Sequence, residues 1–299
     1  MLEVKVPATS ANLGAGFDCM GLAVKIYNRF TVAPAATAKF TLTGDYTAGI
    51  DTGEDNLFWR AARKLWNRLE RPPTPLQATC DAQVPPARGL GSSSTAVVGG
   101  LLAANHFAGE PLTRFELLEM ATEIEGHPDN VAPALYGGVT LTAMREGSVV
   151  FRSLGRAPAL SLALIVPDYT VETGKARAIL PELVSRADAV FNASRVGLLT
   201  DAFLRGEYSL LRAGTEDRLH QRQRAGLTPG LEDLLDKAGT LGAYGAALSG
   251  SGPAVIAFCR PGAGKEVAEG MAGVLRKLGI NVRAFAPEID VAGATLRQI

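Results

Sequence analysis

The sequence predicts a mixed α and β protein built from two packed subdomains, and three observations lead to that prediction. The chain has 299 residues, of which 47% are hydrophobic, and 30 Lys+Arg balance 30 Asp+Glu. At this length a single hydrophobic core stops growing, so a second one is expected. Stretches with period-two alternation are interleaved with stretches of four-residue spacing, so strands and helices are mixed. The apolar fraction excludes a disordered chain.

The composition also excludes several classes of partner. With a formal net charge of zero, the chain has no excess of basic residues for a nucleic-acid backbone or an anionic membrane. The start, MLEVKVPATS, lacks the features of an export signal, and no apolar run is long enough to span a bilayer. Cys19, Cys80 and Cys259 lie far apart without CxxC spacing. We expect a soluble protein of the reduced cytoplasm that binds neither nucleic acid nor membrane.

The N-terminal elements follow from apolar periodicity. Alternating apolar residues predict strands at residues 2–6 and 40–42. Apolar residues that recur every four positions predict an amphipathic helix over residues 56–69. Trp59 and Trp66 fall on that helix, so we expect them to pack in the core instead of binding a ligand.

A strand, a glycine-rich loop and a helix come next. Residues 76–84 alternate, PPARGLGSSS interrupts them, and residues 97–102 resume helical spacing. Thr113 and Glu116 form a capping box that opens another helix, which continues to about Glu125 and ends at GHPDN.

The C-terminal elements alternate again, after an irregular stretch near residues 153–160 (RSLGRAPA) that we take as the boundary. The predicted domains are therefore residues 1–155 and 156–299. Strands are predicted at residues 139–143, 149–152, 160–166, 243–248, 254–259 and 282–286, with mostly helical structure at 175–236 and a helix at 265–278.

The loop VPPARGLGSSST at residues 84–95 is a candidate anion site. Two glycines let the backbone approach a ligand, and the unpaired amides of the following helix attract negative charge. An ordinary strand-to-helix turn with a serine N-cap is the alternative. The loop matches neither GxGxxG nor GxxxxGK[ST], so a phosphate bound here would not be held as in a dinucleotide-binding or P-loop protein.

Further polar residues stand among small or apolar neighbours, and each has a plain structural explanation as well. The loop at residues 249–253 (SGSGP) is also what a simple hairpin turn needs. Asp129 and Asn130 suit a helix N-cap, and an isolated histidine is usually a hydrogen-bonded structural residue. Surface charges explain other candidates equally well. The candidates are Asn12, Asp18, Glu123, Glu125, His127, Asp129, Asn130, Arg177 and Arg224.

Three motifs in one order carry a family resemblance. VPATSANLGAGFDCMGL, VPPARGLGSSST and ALSGSGPA together resemble the GHMP small-molecule kinases, and within them the homoserine kinase branch. The resemblance extends from about Leu2 to Phe258. It implies an α+β fold of two domains, the N-terminal one like ribosomal protein S5 domain 2 and the C-terminal one ferredoxin-like.

The resemblance implies ATP-dependent phosphorylation of the side-chain hydroxyl of L-homoserine, with Mg²⁺, on the route to threonine. A serine among Ser92–Ser94, with Ser93 preferred, would bind Mg²⁺ together with Glu125, and Glu123 is the second candidate. The ATP contacts would come from Pro85, Pro86, Ala87, Arg88, Gly89, Leu90, Gly91, Ser92, Ser93, Ser94, Thr95, Ser249, Gly250, Ser251 and Gly252. A homodimer is what the family suggests.

The residues implied around the amino acid are Asn12, Asp18, His127 and Asp129, with Asn130 near the reacting hydroxyl. Arg177 and Arg224 would hold the substrate carboxylate and neighbouring charge. Many relatives read HQPYR where this chain has HQRQR, so Arg222 is the alternative to Arg224.

The resemblance also bears on the mechanism. An aspartate at the position of Asp129 is the general base in mevalonate kinase. In the homoserine branch Asp129 is better interpreted as a ligand of the substrate ammonium, so catalysis is expected to rest on positioning and electrostatics by Asn130 and Arg177. The competing hypotheses are a GHMP kinase for mevalonate or a sugar, a non-catalytic nucleotide-binding regulator, and a dinucleotide-dependent oxidoreductase, whose fingerprint is missing.

Overall fold

Two β-sheets organise the chain in a computed structural model that describes residues 1–155 and 160–299. The strands are β1 (Leu2–Ala11), β2 (Met20–Pro34), β3 (Lys39–Thr43), β4 (Leu76–Asp81), β5 (Val139–Arg145), β6 (Ser148–Gly155), β7 (Ser161–Pro167), β8 (Gly245–Leu248), β9 (Val255–Cys259), β10 (Val282–Phe285) and β11 (Thr295–Gln298). The helices are α1 (Leu57–Arg68), α2 (Ser92–Phe107), α3 (Arg114–Glu125), α4 (Val131–Tyr136), α5 (Thr173–Ala178), α6 (Arg186–Arg205), α7 (Leu211–Gly214), α8 (Gln221–Arg224), α9 (Leu231–Thr240) and α10 (Gly264–Lys277).

The first sheet has the order β11-β1-β2-β4-β3, and β5 joins it by pairing with both β2 and β6. Its pairs are antiparallel except β3 with β4, because α1 carries the chain back between those two strands. The succession of three strands, a helix, a strand and a helix confirms the predicted N-terminal fold class.

The predicted amphipathic helix is α1, and local chemistry defines its start. The Asn56 side chain caps it by accepting a hydrogen bond of 2.8 Å from the backbone N–H of Phe58. Trp59 and Trp66 are 7% and 3% exposed, so both pack in the core as expected. The Thr113 and Glu116 capping box is formed at α3, as predicted.

The second sheet has the order β10-β7-β9-β8, with every pair antiparallel. Numbered within the sheet, this is strand order 4-1-3-2 along a β-α-β-β-α-β chain, the ferredoxin-like pattern. Helices α9 and α10 cover one face, where Leu234 and Met271 are fully buried. The predicted C-terminal fold class is therefore confirmed.

The two sheets pack against each other through a shared buried apolar cluster. Leu22 and Val139 of the first sheet, Leu164 and Phe258 of the second, and Leu199 of α6 belong to one cluster. A separate cluster lies between the first sheet and α1 to α3, and a third lies under α9 and α10.

Two strands were missing from the sequence prediction. In β2 the first five residues are all buried, so the alternation that reveals a strand is absent there. All four residues of β11 are exposed. β11 pairs with β1, so residues of the predicted second domain complete the first sheet. Part of the predicted boundary, residues 156–159, lies outside the described residues, and the division at 155 stays a prediction.

No helix in the described part of the chain combines the length and apolarity needed to span a bilayer.

Candidate active site

A cleft of about 680 Å³ opens where the end of β1, the start of α2, the end of α3 and α5 meet. Residues that are widely separated in sequence line this cleft. The sequence motifs predicted that these residues would meet in one site. The predicted site residues on its walls are Asn12, Asp18, Pro86, Ala87, Gly89, Leu90, Gly91, Ser92, Ser93, Glu125, His127, Asp129, Asn130, Arg177, Arg224, Gly250 and Ser251. The predicted ATP-loop residues outside this lining are Pro85, Arg88, Ser94, Thr95, Ser249 and Gly252.

The glycine loop ends directly at the N-terminus of α2. Gly91 is the N-cap, in the left-handed conformation at φ +65°, and among the described residues no side chain caps this helix. The alternative of a serine N-cap is therefore wrong. The first amides of α2, those of Ser92, Ser93 and Ser94, have no partner within the helix, as at any helix start. They are left for an anion in the cleft.

The second glycine loop is both a hairpin turn and part of this site. It joins the antiparallel strands β8 and β9, as the simple explanation required. It also seats against the first loop, because the Ser249 hydroxyl donates to the carbonyl oxygen of Gly89 at 2.6 Å. Gly250 and Ser251 consequently reach the wall of the cleft.

Arg88 is turned away from the cleft although it lies in the glycine loop. Its guanidinium donates to three backbone carbonyls, those of Pro86 (3.2 Å), Pro167 (3.2 Å) and Asp168 (3.1 Å). These bonds tie the loop to the end of β7. The side chain therefore supports the loop from the second sheet, whereas the sequence alone suggested a phosphate contact.

Gly91→Ala should raise the KM for ATP by about tenfold or more, because a Cβ at this position would lie 2.0 Å from the Thr9 Oγ1. The collision and the positive φ together would displace the start of α2. Steady-state kinetics with varied ATP measures this effect.

Gly109→Ala is the matched control for that substitution, since Gly109 has φ +87° but a Cβ added to it would meet no atom of the described residues within 4 Å. It should cost about 1 kcal/mol of stability and leave the KM for ATP unchanged. Equal kinetic effects of the two variants would contradict the role of the loop.

A hydroxyl and a carboxylate meet at the start of α2. The Oγ of Ser93 lies 3.3 Å from Oε2 of Glu125, to which it donates. Burial raises the pKa of Glu125, while His127 and the Ser93 hydrogen bond oppose that rise. Glu123 instead forms an exposed ion pair with Lys64 at 2.8 Å. Hard oxygen donors next to a phosphate-binding helix start suit Mg²⁺, so Ser93 and Glu125 fit this cation.

Asn12 and Asp18 are held together in the turn that follows β1. The Asn12 side chain accepts from the backbone N–H of Asp18 and donates to the carbonyl oxygen of Gly250, both at 3.0 Å. Arg177 on α5 forms a bidentate pair with the Asp18 carboxylate, at 2.7 and 2.9 Å. The turn, the second glycine loop and α5 are thereby joined.

The HPDN segment lines the same cleft, next to Asp18. His127 Nδ1 is hydrogen-bonded to Asp129 Oδ1. Burial lowers the pKa of His127, but the hydrogen bond and the charge of Asp129 raise it overall. Asn130 stands at the N-cap position of α4 without capping it, and its Oδ1 accepts from the Thr9 hydroxyl at 2.7 Å. The N-cap explanation of the Asn130 side chain is therefore wrong.

Asp18, His127 and Asp129 bring ligand atoms within 4.8 Å of one another. Each carboxylate already has a partner, since Arg177 neutralises Asp18 and His127 contacts Asp129. These groups form a polar pocket with both signs of charge.

Arg224, at the end of α8, is a buried residue that lines the cleft. It is 2% exposed, and its Nε and Nη1 donate to the carbonyl oxygens of Ala176 and Gly250, each at 3.1 Å. Burial, together with the charge of Arg177, lowers its pKa to about 10, so the guanidinium stays charged at neutral pH. Arg222 is exposed and lines a different cavity.

Several residues of the site were missed by the sequence analysis. Apolar residues form a wall of the cleft beside the glycine loop: Phe40, Leu42 and Leu57 fell in predicted elements, and Phe30 and Ile50 were assigned to none. Nothing in an apolar pattern distinguishes a ligand-facing residue from a core residue. His220, behind Arg224, belongs to the HQRQR motif but was assigned no role. The apolar wall is formed by Phe30, Phe40, Leu42, Ile50 and Leu57.

Asp217 is a buried carboxylate that organises the segment below Arg224. It accepts from the backbone N–H groups of Leu219 (3.0 Å), His220 (2.9 Å) and Gln221 (2.7 Å) and from Nδ2 of Asn192 (2.8 Å). Burial by itself raises the pKa of Asp217, but the nearby His220 and these donors hold it below its usual range.

Asp217→Asn should lower the free energy of unfolding by about 2–3 kcal/mol near neutral pH, because an amide nitrogen would face hydrogen-bond donors. The folded-state pKa of Asp217 is depressed, so its stabilising contribution is full above the unfolded-state pKa of about 3.9 and is lost as pH falls through the folded value. Urea unfolding at about pH 7 and about pH 3 should show the difference shrinking.

The neighbouring Glu216→Gln, which removes only an exposed pair with Arg195, should change stability by under about 0.5 kcal/mol and serves as control. A difference for Asp217→Asn that grows in acid would contradict the assignment.

Comparison with protein-family models matches both halves of this fold. The model described as GHMP kinases N terminal domain matches residues 56–138, and the model described as GHMP kinases C terminal matches residues 199–277. A two-sheet fold with a glycine loop at a helix start, facing a charged pocket, is thus the architecture of the GHMP small-molecule kinases.

Individual relatives narrow the class. The homoserine kinase of Desulfitobacterium hafniense is 46% identical over 99% of this chain and 100% of its own length. The homoserine kinase of Carboxydothermus hydrogenoformans is 44% identical over 88% of this chain and 86% of its own. A solved homoserine kinase from Cytophaga hutchinsonii superposes with a TM-score of 0.90 at 27% identity, covering 99% of this chain and 97% of that one. The chain belongs to the GHMP kinase family, in its homoserine kinase branch.

Proposed function

We propose that the protein transfers the γ-phosphoryl group of ATP to the side-chain hydroxyl of L-homoserine, giving O-phospho-L-homoserine on the route to threonine. One observation carries the proposal: a helix start with free amides and a pocket with both signs of charge open into one cleft. The names of the relatives support this reaction over the phosphorylation of mevalonate or a sugar. A solved mevalonate kinase at 15% identity shares the fold alone.

The glycine loop would bind the triphosphate. The amide N–H groups of Ser92, Ser93 and Ser94 lie at the positive end of the α2 dipole. Negatively charged phosphate oxygens would be stabilised at this end of the helix. Gly250 and Ser251 would close the loop from the other side. The apolar wall beside it would bind the base of the nucleotide. The faces of the planar base would be buried against apolar side chains, which removes apolar surface from water.

Ser93 and Glu125 would hold Mg²⁺ at the phosphates. When bound, the cation neutralises phosphate oxygens and so lowers the electrostatic cost of phosphoryl transfer. The partial burial of Glu125 favours this role, because burial disfavours the carboxylate charge and a bound cation would stabilise it. Glu123 is exposed and already paired with Lys64, so a bound cation would stabilise its charge less.

The charged pocket would bind the zwitterionic amino acid. Arg224 and Arg177 supply positive charge for the carboxylate, and Asp129 and Asn12 supply oxygen acceptors for the ammonium. Asp18 would keep the Arg177 guanidinium in place through its bidentate pair. A small zwitterion needs both of its charged ends recognised, and the cleft is lined by groups of both signs.

Catalysis would rest on alignment and charge stabilisation. In the reaction the homoserine hydroxyl oxygen bonds to the γ-phosphorus while the bond from that phosphorus to the β,γ-bridging oxygen breaks and ADP leaves. Asn130 and Arg177 would orient the hydroxyl and stabilise the transferred group. Asp129 is hydrogen-bonded to His127, so it is better suited to the ammonium than to proton abstraction. The hydroxyl proton leaves late, because the transition state is loose, and passes to water, so the step needs no protein base.

The direct test is ADP release by purified protein with Mg-ATP and a panel of homoserine, mevalonate, galactose and serine. We expect turnover with homoserine and background rates with the other three. Turnover with mevalonate or galactose would move the protein to another GHMP kinase activity. No turnover, with ATP bound, would favour the non-catalytic regulator.

Setting and assembly remain our predictions. Cys19, Cys80 and Cys259 are free thiols, and burial raises their pKa to about 11, about 12 and about 11, so they are unreactive packing residues suited to a reduced cytoplasm. Sedimentation of the purified chain tests the homodimer.

A further inference from the structure

His220 is completely buried between the substrate turn and Arg224. Its Nε2 lies 2.9 Å from the carbonyl oxygen of Gly14, and its Nδ1 lies 3.2 Å from Nη1 of Arg224. The ring stacks on Phe17, with centroids 5.1 Å apart and planes inclined by 23°. One imidazole therefore contacts both the turn that carries Asn12 and Asp18 and the buried arginine.

The chemistry of its two partners fixes the protonation state of the ring. A carbonyl oxygen only accepts, so Nε2 must carry the hydrogen that it donates to Gly14. A guanidinium only donates, so Nδ1 must offer a lone pair to Arg224. His220 is therefore neutral and in the Nε2–H tautomer.

The surroundings agree with a neutral ring. Burial lowers the pKa of His220, and so does the charge of Arg224, whereas Asp217, the hydrogen bond to Gly14 and Asp18 oppose them with a smaller effect. The Nε2 to Asp217 Oδ2 distance is 3.7 Å, longer than a hydrogen bond. An imidazolium here would place a second positive charge against Arg224.

The contact with His220 decides which part of Arg224 is free. Nε is bonded to Ala176, and Nη1 is shared between Gly250 and His220. Over residues 1–155 and 160–299, Nη2 has no hydrogen-bond partner, and Arg224 lines the cleft. With Nε and Nη1 occupied, Nη2 is the guanidinium nitrogen left for a ligand in the cleft that Arg224 lines.

Gly14 is equally constrained on the other side of the ring. It has φ +88°, and a Cβ there would lie 2.2 Å from the carbonyl oxygen of Thr215. The turn is thus clamped between the segment at Thr215 and the Nε2–H of His220. Movement of the imidazole would move the turn and the arginine together.

We propose that His220 is a positioning residue for amino-acid recognition: as a neutral acceptor it aims the free edge of Arg224 at the substrate carboxylate, and as a donor it anchors the turn that bears Asn12 and Asp18. This inference rests on the proposed function, since it assigns the cleft a carboxylate ligand. It predicts an effect on homoserine binding that is separate from ATP binding.

The test uses three substitutions in the full chain. His220→Phe keeps the stacked ring but removes both hydrogen bonds, and it should raise the KM for homoserine by about tenfold with the KM for ATP within about twofold. His220→Asn places an amide oxygen where Nδ1 was, so it should recover most of the homoserine affinity. His220→Gln restores mainly the donor to Gly14 and should recover less.

The opposite pattern would overturn the proposal. Parallel rises in both KM values, unchanged homoserine KM in His220→Phe, or a better rescue by Gln than by Asn would each do so. If His220→Phe fails to fold, the homoserine KM values of His220→Asn and His220→Gln still test the proposal.

A spectroscopic measurement is independent of turnover. In ¹⁵N-histidine-labelled wild-type protein, assigned by comparison with His220→Asn, we expect an unprotonated Nδ1 and a protonated Nε2 for His220 at neutral pH. An imidazolium or the opposite tautomer would overturn the proposal. If wild-type protein does not phosphorylate homoserine, the proposed function fails, and this spectrum still shows whether the inferred hydrogen bonds exist.

Discussion

Arg224→Leu should raise the KM for homoserine by about a hundredfold while the KM for ATP stays within about twofold of wild type, because loss of a buried charged contact costs about 3 kcal/mol. Arg224 is 2% exposed and is held by carbonyl oxygens on two elements. A substrate carboxylate at its free edge would lose its main counter-charge. Steady-state kinetics with each substrate varied in turn measures the separation.

Arg222→Leu is the matched control for this prediction. Arg222 lies on the same short helix, but it is exposed and lines another cavity. It should leave both KM values unchanged. An equal rise of both KM values in Arg224→Leu would show that the arginine supports the cleft in general and does not recognise the amino acid.

Glu125→Gln should lower Mg²⁺-dependent turnover by about a hundredfold at limiting metal, because an amide is a much weaker ligand for a hard cation than a carboxylate. The same substitution keeps the size of the side chain and its contact with Ser93. Turnover measured across a Mg²⁺ titration should show a higher metal requirement. In wild type, turnover should also fall as pH falls through the raised pKa of Glu125, since protonation removes the negative ligand.

Glu123→Gln provides the comparison, because Glu123 forms an exposed ion pair with Lys64. It should keep the wild-type metal requirement. A larger loss in Glu123→Gln than in Glu125→Gln would transfer the metal role to Glu123.

Elements with strong local signals were predicted well. Helix α1 has an apolar face and the cap at Asn56, and α3 has its capping box, so both were found with ends correct to within a few residues. The strands of the second sheet are short apolar runs between turns and were found in order. Local chemistry suffices in these cases because neighbours in sequence supply the cap or the turn.

The missed strands have no such local signal. The start of β2 is buried on both faces between β1 and β5, so its residues do not alternate. β11 is exposed throughout and exists because β1 offers an unpaired edge. Both depend on partners far away in the chain, which periodicity does not report.

The candidate site shows the same limit at the level of side chains. The motifs identified the glycine loop, the HPDN segment and both arginines as candidates. Which of their side chains can contact a ligand depends on the direction in which each side chain extends. Arg88 turns to the backbone of β7, while Arg224 turns into the cleft. The role that we propose for His220 rests on its two partners, Gly14 and Arg224.

By itself the sequence determined the two-domain fold class, the order of most elements, the family and a set of candidate residues for the site. Tertiary structure alone decided which of those side chains face one cleft, that Glu125 and not Glu123 adjoins Ser93, and that His220 lies between Gly14 and Arg224. The reason is physical: periodicity and capping depend on neighbours within a few residues, whereas side-chain direction, burial and hydrogen-bond partners are set by segments that meet only when both sheets pack.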